Sequence, residues 1–369
     1  MSDDEERLRA ALPNPLPAAR GEGIEPALAC PRPFASDTIQ LAQGGGGRSA
    51  HDLVASVFLR AFSSADAPAP HDSAVVTIGA ERVALTTDSF VVSPRFFPGG
   101  DIGKLAVCGT INDLAMAGAT TAFLAAAFVL EEGLPHAELE RVVRSMRDTA
   151  ASCGVALVTG DTKVVDRGKG DGVFITTSGI GRIPPGVDLR PERVSAGDVV
   201  LVSGDVGRHG MAVLTTREGL SFDPPLTSDC APLADLVAAL LATGADVRCL
   251  RDPTRGGLVA ALNEIASASG RRIVVDEAQV PIDRAVAGAC EVLGIDPFHV
   301  ACEGRLVAFV APADADRALS SLRAHPLGAG AARIGVVEPG PAGEVVAITA
   351  FGGERLLDLP LGEPLPRIC

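Results

Sequence analysis

The segment Gly181–Asp188, with the sequence GRIPPGVD, limits the possible fold most, because Pro-Pro-Gly stops helices and strands alike. On both sides of it, short runs rich in β-branched residues alternate with segments of helical periodicity. Such alternation in each half favours two α/β-type domains, each with a mixed sheet and packed helices. A length of 369 residues also favours two domains over one core. The sequence therefore predicts domains at 38–182 and 183–350, an extension at 1–37 and a flexible tail at 351–369.

The composition is typical of a globular protein of the reducing cytoplasm. A net charge of -14 argues against nucleic acid or an anionic membrane as a partner. The longest apolar region, about 105–130, is interrupted by Asn112, Asp113 and two glycines, which a membrane-spanning helix would tolerate poorly. The first residues are acidic and lack the apolar stretch of a secretory signal. Eight cysteines without close pairs fit neither a zinc site nor a disulfide framework.

A glycine-rich loop follows the proline-rich extension at 1–37, whose lack of periodicity predicts disorder. The loop contains four consecutive glycines, which are Gly44, Gly45, Gly46 and Gly47, and it leads into a helix predicted at 50–60. Glycines let a backbone approach a phosphate closely, and amides at a helix N-terminus can receive it. A flexible linker explains the same residues equally well.

Periodicity and turn residues predict the remaining elements along the chain. Strands are predicted at 73–78, 82–87, 121–130 (buried), 155–158, 173–180, 199–202, 272–275, 305–310 and, last, 333–337. Helices are predicted at 103–118, 136–153, 232–243, 257–268, 283–293 and 313–323. The inward side chains of the helix at 136–153 are predicted to be Leu139, Val142, Val143, Met146 and Ala150.

Several acidic residues lie at the edges of these predicted elements, beside glycine or other small residues. They are Asp72, Asp88, Asp113, Asp161 and Asp252. Carboxylate oxygens suit Mg²⁺, which binds a few carboxylates together with substrate phosphates. A divalent cation would also let this acidic chain bind an anionic nucleotide. Each aspartate taken alone is more often simply solvated, so only their joint occurrence indicates a site.

Three further segments combine charged residues with turns. The cluster at 159–163, TGDTK, is predicted to follow a short strand, where α/β sites tend to lie, although a solvated turn is an alternative. The segment Arg251–Gly257 precedes a helix, and helix capping alone explains Asp252 or Thr254 but not two arginines and two glycines. Glu303, just before a strand, is a candidate general base.

The chain ends in the sequence EPLPRIC, and its last residue carries a thiol. Pro360, Pro364 and Pro366 favour an extended polyproline conformation. From Arg355 to Cys369 such an arm would reach roughly 40 Å. The arm could bring the thiol to a site on the body, and a frayed terminus with an accidental cysteine is the alternative.

Six stretches together resemble one family over the chain from about residue 40 to the end. They are LTTDS (85–89), FFPGGDIGKLA (96–106), LEEGLP (130–135), VTGDTKVV (158–165), RDPTRGG (251–257) and EPLPRIC (363–369). In these motifs the chain resembles the carbamoyl dehydratases of hydrogenase maturation, the HypE family. That family belongs to the PurM-like superfamily, with aminoimidazole ribonucleotide synthetase, selenide water dikinase and thiamine monophosphate kinase.

The resemblance implies an ATP-dependent reaction on the protein's own tail. A carbamoyltransferase partner of the HypF type would load Cys369 with a carbamoyl group. ATP would then activate the carbamoyl oxygen, and loss of phosphate would leave a thiocyanate. The cyanide would pass to a HypC–HypD scaffold complex that builds the iron ligands of NiFe hydrogenase. The resemblance also implies a homodimer whose nucleotide site lies near the subunit interface.

The resemblance likewise assigns roles to residues of this sequence. It implies that Cys369 carries the substrate, that Lys163 steadies a developing anion and that Glu303 is the base. The Mg²⁺ ligands would be Asp72, Asp88, Asp113 and Asp252. The ATP-binding residues would be Gly44, Gly45, Gly46, Gly47, Asp72, Asn112, Asp113, Asp161, Thr162 and Arg251.

Three positions depart from the family's pattern. Gln43 replaces a histidine before the glycines, His71 replaces one acidic residue before the first strand, and Cys302 replaces an asparagine beside Glu303. Two other functions stay open: a superfamily kinase acting on selenide or thiamine phosphate, or a nucleotide-binding assembly scaffold. In selenide water dikinases the reactive residue lies near the glycine loop, whereas here only Cys30 precedes that loop, well upstream.

Overall fold

The computed structural model describes residues 37–62, 71–360, 362 and 365–369. The predicted disordered extension, apart from Asp37, therefore lies outside the described residues, as do Leu361, Glu363 and Pro364 of the predicted tail. Within the described residues, no helix is long and apolar enough to cross a membrane.

The first half of the described chain forms a five-stranded sheet with helices on one face. Its elements are α1 (Arg48–Leu53, continued by Val54–Leu59 and Arg60–Phe62), β1 (Ala74–Ile78), β2 (Glu81–Phe90), β3 (Phe96–Phe97), β4 (Gly100–Asp101), α2 (Ile102–Met116), β5 (Thr120–Glu131), α3 (His136–Ser152), β6 (Ala156–Val165) and β7 (Val173–Arg182). The strand order is β1-β2-β7-β5-β6, and β5 and β6 are the one parallel pair.

Helix α2 is the central element of this half. Asp101 caps its N-terminus, because its Oδ1 accepts hydrogen bonds from the amides of Gly103 at 2.8 Å and Lys104 at 3.1 Å. Every α2 residue except Lys104 is buried. One side of α2 packs on the five-stranded sheet, and Ala115 and Met116 at its end join the core of the second half. The first part of the long apolar run, 105–116, is therefore a helix covered on all sides, and the rest of the run continues into β5.

The second half forms a seven-stranded mixed sheet. Its elements are β8 (Val199–Val202), α4 (Arg208–Arg217), α5 (Ala234–Ala242), β9 (Val247–Arg251), α6 (Gly257–Ser269), β10 (Arg272–Asp276), α7 (Arg284–Leu293), β11 (Val307–Val310), α8 (Ala315–Ala324), β12 (Ala332–Glu338), β13 (Val345–Ile348) and β14 (Glu354–Leu356). The strand order is β14-β13-β10-β12-β8-β11-β9. In β8, Val200 and Val202 belong to one hydrophobic cluster, whereas Val199 and Leu201 belong to another. The sheet is therefore covered on both faces.

The structure confirms the predicted two-sheet α/β architecture and corrects several local predictions. The cluster at 159–163 lies inside β6, not after it. Strand β5 is not buried as predicted, since only Leu124 and Ala126 are. Val143 points outward on α3, being 45% exposed. Strands β13 and β14 follow the strand predicted as last, and α4 was not predicted at all.

The end of the chain packs against the body, contrary to the expectation of an arm outside both cores. Leu365 and Ile368 are buried in the hydrophobic cluster that also contains residues of α2, α4 and α7, and Cys369 packs beside it. The seven cysteines in the described residues are all free, which agrees with the prediction of no disulfide framework among them.

Candidate functional site

Three aspartates meet where the two halves of the chain join. Asp72 lies just before β1, Asp113 is on α2, and Asp252 directly follows β9. One carboxylate oxygen of each lies within 4.8 Å of the others. The fold thus brings together carboxylates that are up to 180 positions apart in sequence.

Hydrogen bonds and ion pairs orient this triad. Arg251 forms an ion pair with Asp72 Oδ1, and its other terminal nitrogen lies 2.6 Å from Glu264 Oε2 on α6. The hydroxyl of Thr86 donates to Asp113 Oδ2 at 2.7 Å. By contrast, Asp72 Oδ2 and Asp252 Oδ2 are buried and have no hydrogen-bond partner. Two buried oxygens that lack a donor are a costly arrangement unless a cation binds them.

The electrostatics of the triad also favour a cation. Burial raises the pKa of Asp252 to about 6, against the effect of Arg251. Burial raises the pKa of Asp113 well above its usual range, and the charges of Asp252 and Asp88 raise it further. Burial likewise raises the pKa of Asp88, and the charge of Asp88 raises the pKa of both Asp113 and Asp252, which links this fourth predicted ligand to the triad. Mutual repulsion of this kind is relieved when a divalent ion neutralises the carboxylates.

The triad fits Mg²⁺ in chemistry and in size. Carboxylate oxygens are the ligands that Mg²⁺ prefers, and it binds them at about 2.1 Å. Two oxygens on one Mg²⁺ therefore lie at most about 4.2 Å apart, so the triad needs only a small contraction. His71, at the position of the missing acidic residue, lies 3.9 Å from Asp72 Oδ2. Burial and Arg251 lower the pKa of His71 to about 4, so it is neutral near pH 7 and forms no ion pair.

Glu303 is buried beside this junction. Asp229 positions its backbone, accepting hydrogen bonds from the amides of Glu303 at 3.3 Å and Gly304 at 3.1 Å. Its own Oε1 is buried without a hydrogen-bond partner. Burial raises the pKa of Glu303 well above its usual range, with further contributions from the charges of Cys230 and Asp252. A carboxyl group in such surroundings is a strong base once ionised.

The glycine loop packs against the segment that leads into the tail. Gly47 is the N-cap residue of α1, and the next amide, of Arg48, donates to the carbonyl of Pro360 at 2.8 Å. A Cβ on Gly47 would lie 2.8 Å from that same carbonyl oxygen, so only glycine allows this approach. Arg48 also pairs with Asp358 at 2.5 Å. The predicted phosphate loop is therefore in direct contact with the stem of the tail.

The last four residues are bound mainly through their backbone oxygens. Arg217 donates to the carbonyls of Pro366 at 2.7 Å and Arg367 at 2.8 Å. His209 Nε2 is 2.9 Å from the carbonyl of Ile368. The amide of Val91 donates to the backbone oxygen of Cys369 at 3.0 Å, and Arg367 pairs with Asp171.

The docked tail and the glycine loop line one crevice. Leu365 and Ile368 share its walls with Gly46, Arg255 and Gly256. The crevice places the last residues of the chain beside the predicted phosphate loop. The tail thus ends near the site that the sequence assigns to the nucleotide.

Other predicted site residues lie apart from the triad. Asp161, Thr162 and Lys163 are exposed on β6, where the ammonium of Lys163 lies 2.6 Å from Asp161 Oδ2. In the sheet, β7 and β5 separate β6 from the strand that carries Asp88, a distance of roughly 14 Å at the usual strand spacing. Asn112 bonds to backbone atoms: its Oδ1 accepts from Leu233 at 2.7 Å and its Nδ2 donates to Ala231 at 3.1 Å.

Five residues of the junction escaped the reasoning from sequence. They are Thr86, His209, Arg217, Asp229 and Glu264. A signal was available for His209, which directly precedes Gly210 in the segment SGDVGRHG after a strand. The others are single polar residues in ordinary strand, helical or loop sequence, so no local pattern marks them.

Two family matches together cover most of the described chain. Residues 70–183 match AIR synthase related protein, N-terminal domain, and residues 195–348 match the C-terminal domain of that family. Thiamine monophosphate kinase from Aquifex aeolicus, at 18% identity and a TM-score of 0.59, shares the fold.

Much closer relatives carry a more specific name. Proteins called carbamoyl dehydratase HypE from Rhizobium leguminosarum bv. viciae and Cupriavidus necator are 51% and 52% identical, covering 91% and 90% of this chain and 96% and 95% of their own length. A crystal structure of HypE in complex with ATP is 45% identical with a TM-score of 0.76, covering 90% of this chain and all of that one. HypE in a crystal structure of a HypE–HypF complex is 45% identical with a TM-score of 0.79, covering 84% of this chain and 99% of that one. This chain therefore belongs to the HypE family of carbamoyl dehydratases.

Proposed function

We propose that this protein dehydrates the carbamoyl group on its own Cys369 in an ATP-dependent reaction, giving a thiocyanate that supplies cyanide to NiFe hydrogenase. The observation that carries this proposal is the docked tail, since Ile368 lines the same crevice as Gly46 of the glycine loop. Relatives named carbamoyl dehydratase, and one solved with ATP, support it. A small-molecule kinase would have no use for a tail bound at this place.

The reaction balances with one ATP for each cyanide formed. The carbamoyl oxygen attacks the γ-phosphorus, and the bond from that phosphorus to the β–γ bridging oxygen breaks, which releases ADP. One N–H proton is lost on forming the phosphorylated imidate, and the second leaves with phosphate as the C≡N bond forms. Glu303 is the proposed acceptor of a proton, because its buried, partner-free Oε1 is a strong base when ionised.

Asp72, Asp113 and Asp252 are the proposed ligands of Mg²⁺, with Asp88 beside them. When bound, the ion would neutralise phosphate charge that this acidic chain would otherwise repel. Arg251 is engaged by Asp72 and Glu264, so we assign it the orientation of Asp72 in addition to its proposed place in the nucleotide site. Asn112 would act on the nucleotide site through the backbone that it holds.

A second copy of the chain is the proposed partner of the uncovered face of the five-stranded sheet. Leu85 and Phe123 are 49% and 52% exposed on this face, and Val158 is 57% exposed on the adjoining edge strand β6. Burial of such apolar side chains drives association. Asp161, Thr162 and Lys163 lie on the same edge strand, so a dimer would bring one subunit's Lys163 towards its partner's tail and nucleotide.

The remaining partners follow from the same function. A HypF-type carbamoyltransferase is proposed to load Cys369, supported by the HypE–HypF complex of a relative. A HypC–HypD scaffold is proposed to accept the cyanide, with a two-electron reductant on the scaffold side returning Cys369 to a thiolate. Both steps require the thiol to leave its docked position, so the tail is proposed to alternate between docked and extended states in the cytoplasm.

Phosphate release tests the proposal against the alternatives. With MgATP, a protein carbamoylated at Cys369 is expected to release one phosphate per loaded chain and then stop. An unloaded protein should release almost none. Steady ATP consumption with a phosphorylated selenide or thiamine product would instead show a small-molecule kinase. ATP binding without turnover of the loaded protein would show a scaffold.

A further inference from the structure

His209 connects the tail to a loop of the second half. It is the second residue of α4 and is completely buried. Its Nε2 lies 2.9 Å from the carbonyl oxygen of Ile368, and its Nδ1 lies 2.8 Å from the hydroxyl oxygen of Ser228. The ring of Phe97 meets it edge to face, with centroids 5.3 Å apart. The imidazole is therefore held on both of its nitrogens and on its ring.

The hydrogen-bond directions along this connection are fixed by chemistry. A carbonyl can only accept, so Nε2 of His209 carries the proton donated to Ile368. The amide of Cys230 donates to the hydroxyl oxygen of Ser228 at 3.0 Å, and the proton of that hydroxyl can then be donated to Nδ1 of His209. Burial lowers the pKa of His209, which agrees with a neutral ring. The carbonyl of Ile368 thus fixes the tautomer of His209, and Ser228 complements it by donating to Nδ1.

The same loop also holds the proposed base. Asp229, between Ser228 and Cys230, accepts the hydrogen bonds from the amides of Glu303 and Gly304. Because adjacent residues of one loop support the base and the tail, the loop sets the distance between them. A rigid common support is what a proton transfer between two separate chain segments requires.

We propose that His209 is a positioning residue for the dehydration: through its hydrogen bond to Ile368, in the tautomer that Ser228 complements, it fixes the thiol of Cys369 relative to Glu303. The proposal rests on the proposed function of the tail. It adds a specific donor for the docked state and a reason for the sequence of the 228–230 loop. No role follows for His209 in ATP binding.

The test compares His209→Leu, which keeps the volume but loses the donor, with His209→Gln, whose side-chain amide can still donate. Docking is read as the rate at which iodoacetamide alkylates Cys369, measured by mass spectrometry of the C-terminal peptide. His209→Leu is expected to raise this rate about fivefold, the effect of losing one hydrogen bond. In the carbamoylated protein it should slow single-turnover dehydration at least tenfold, with the KM for ATP unchanged within about twofold.

His209→Gln should restore both values to within about threefold of wild type, and the exposed His136→Gln serves as the control. The alkylation and dehydration rates of Ser228→Ala should lie between those of His209→Leu and His209→Gln. Ser228→Ala therefore replaces His209→Leu if that variant does not fold. Equal alkylation and dehydration rates in all variants would overturn the role of His209. If wild-type protein docks its tail but forms no thiocyanate, the proposed function fails while the alkylation result still tests the docking contact.

Discussion

The guanidinium of Arg217 donates to the carbonyl oxygen of Arg367 at 2.8 Å, so the last turn of α4 binds the tail, as its first turn does through His209. Arg367 has a φ of 57°, in the left-handed region that non-glycine residues avoid. The docked tail therefore has several hydrogen bonds and one strained residue. This combination suits a segment that must bind and then leave.

Removal of the Arg217 contacts should shift the tail towards its extended state. In Arg217→Gln the amide can replace at most part of the three backbone contacts, to Ser93, Pro366 and Arg367. We expect alkylation of Cys369 to rise about tenfold and single-turnover dehydration to fall by a similar factor. Arg144→Gln, on the exposed side of α3, is the matched control. An unchanged alkylation rate would show that Arg217 does not hold the tail in solution.

Replacement of Glu303 by glutamine should remove the base with little change in volume. We expect the dehydration rate to fall about 10²- to 10⁴-fold, with ATP affinity preserved within about threefold. The exposed Glu140→Gln on α3 is the control. A rate within a factor of three of wild type would remove Glu303 from the reaction.

The pH dependence of the rate should report the same group. Burial raises the pKa of Glu303, and a base must be ionised to accept a proton, so the rate should fall as the pH drops below this raised pKa. The acid limb is thus expected above the ordinary range of a glutamate. It should be absent from the residual activity of Glu303→Gln, and an identical limb in that variant would contradict the assignment.

Asp252 should make the metal-free protein less stable at high pH. The pKa of Asp252 is about 6 in the folded protein and 3.8 ordinarily, so the stability that its proton contributes is complete below about pH 4 and lost as the pH rises through about 6. Without divalent ions, Asp252→Asn should therefore melt about 2–4 °C above wild type at pH 8, with a smaller difference at pH 5. A difference independent of pH would contradict this account.

Magnesium should raise the melting temperature of the wild type above that of Asp252→Asn. At pH 8, MgCl₂ is expected to raise the melting temperature of the wild type, because the ion neutralises the three carboxylates of the triad. Asp252→Asn should gain much less, and Asp148→Asn, an exposed control on α3, should gain as much as wild type. Equal gains in all three proteins would place the ion elsewhere.

A charge on the uncovered face of the first sheet should disrupt the proposed dimer. Phe123→Glu puts a carboxylate on the uncovered face, where apolar contact is proposed, so sedimentation velocity should show a smaller species than for wild type. Val292→Glu, at an exposed valine on α7, is the control. A wild-type monomer, or a dimer unaffected by Phe123→Glu, would exclude this interface.

Periodicity in the sequence predicts most of the fold because it reports which side chains face a core. It predicts α3, which is buried along one stripe, and also α6 and the two mixed sheets. It fails at β5, because the sequence of an apolar strand does not show whether other elements cover both of its faces or only one. It also fails at 159–163, where polar residues extend a strand exposed on both sides instead of ending it.

The sequence likewise predicts only part of the candidate site. Asp72, Asp113 and Asp252 are each recognisable as candidates at element edges, and the structure brings them together. The docking of the tail could not be predicted, because backbone oxygens of Arg367 and Ile368 are bound and every residue type has such oxygens. Prolines in the sequence indicate stiffness and reach, but they do not indicate where the chain is bound.

Mass spectrometry of the C-terminal peptide tests the central claim most directly. The protein would be carbamoylated by its HypF-type partner, incubated with MgATP and digested, with Cys369→Ala as the control. We expect the carbamoylated Cys369 peptide to lose the mass of one water while ADP and phosphate form in equal amounts. Persistence of the carbamoyl group while ATP is consumed would contradict the proposed dehydration.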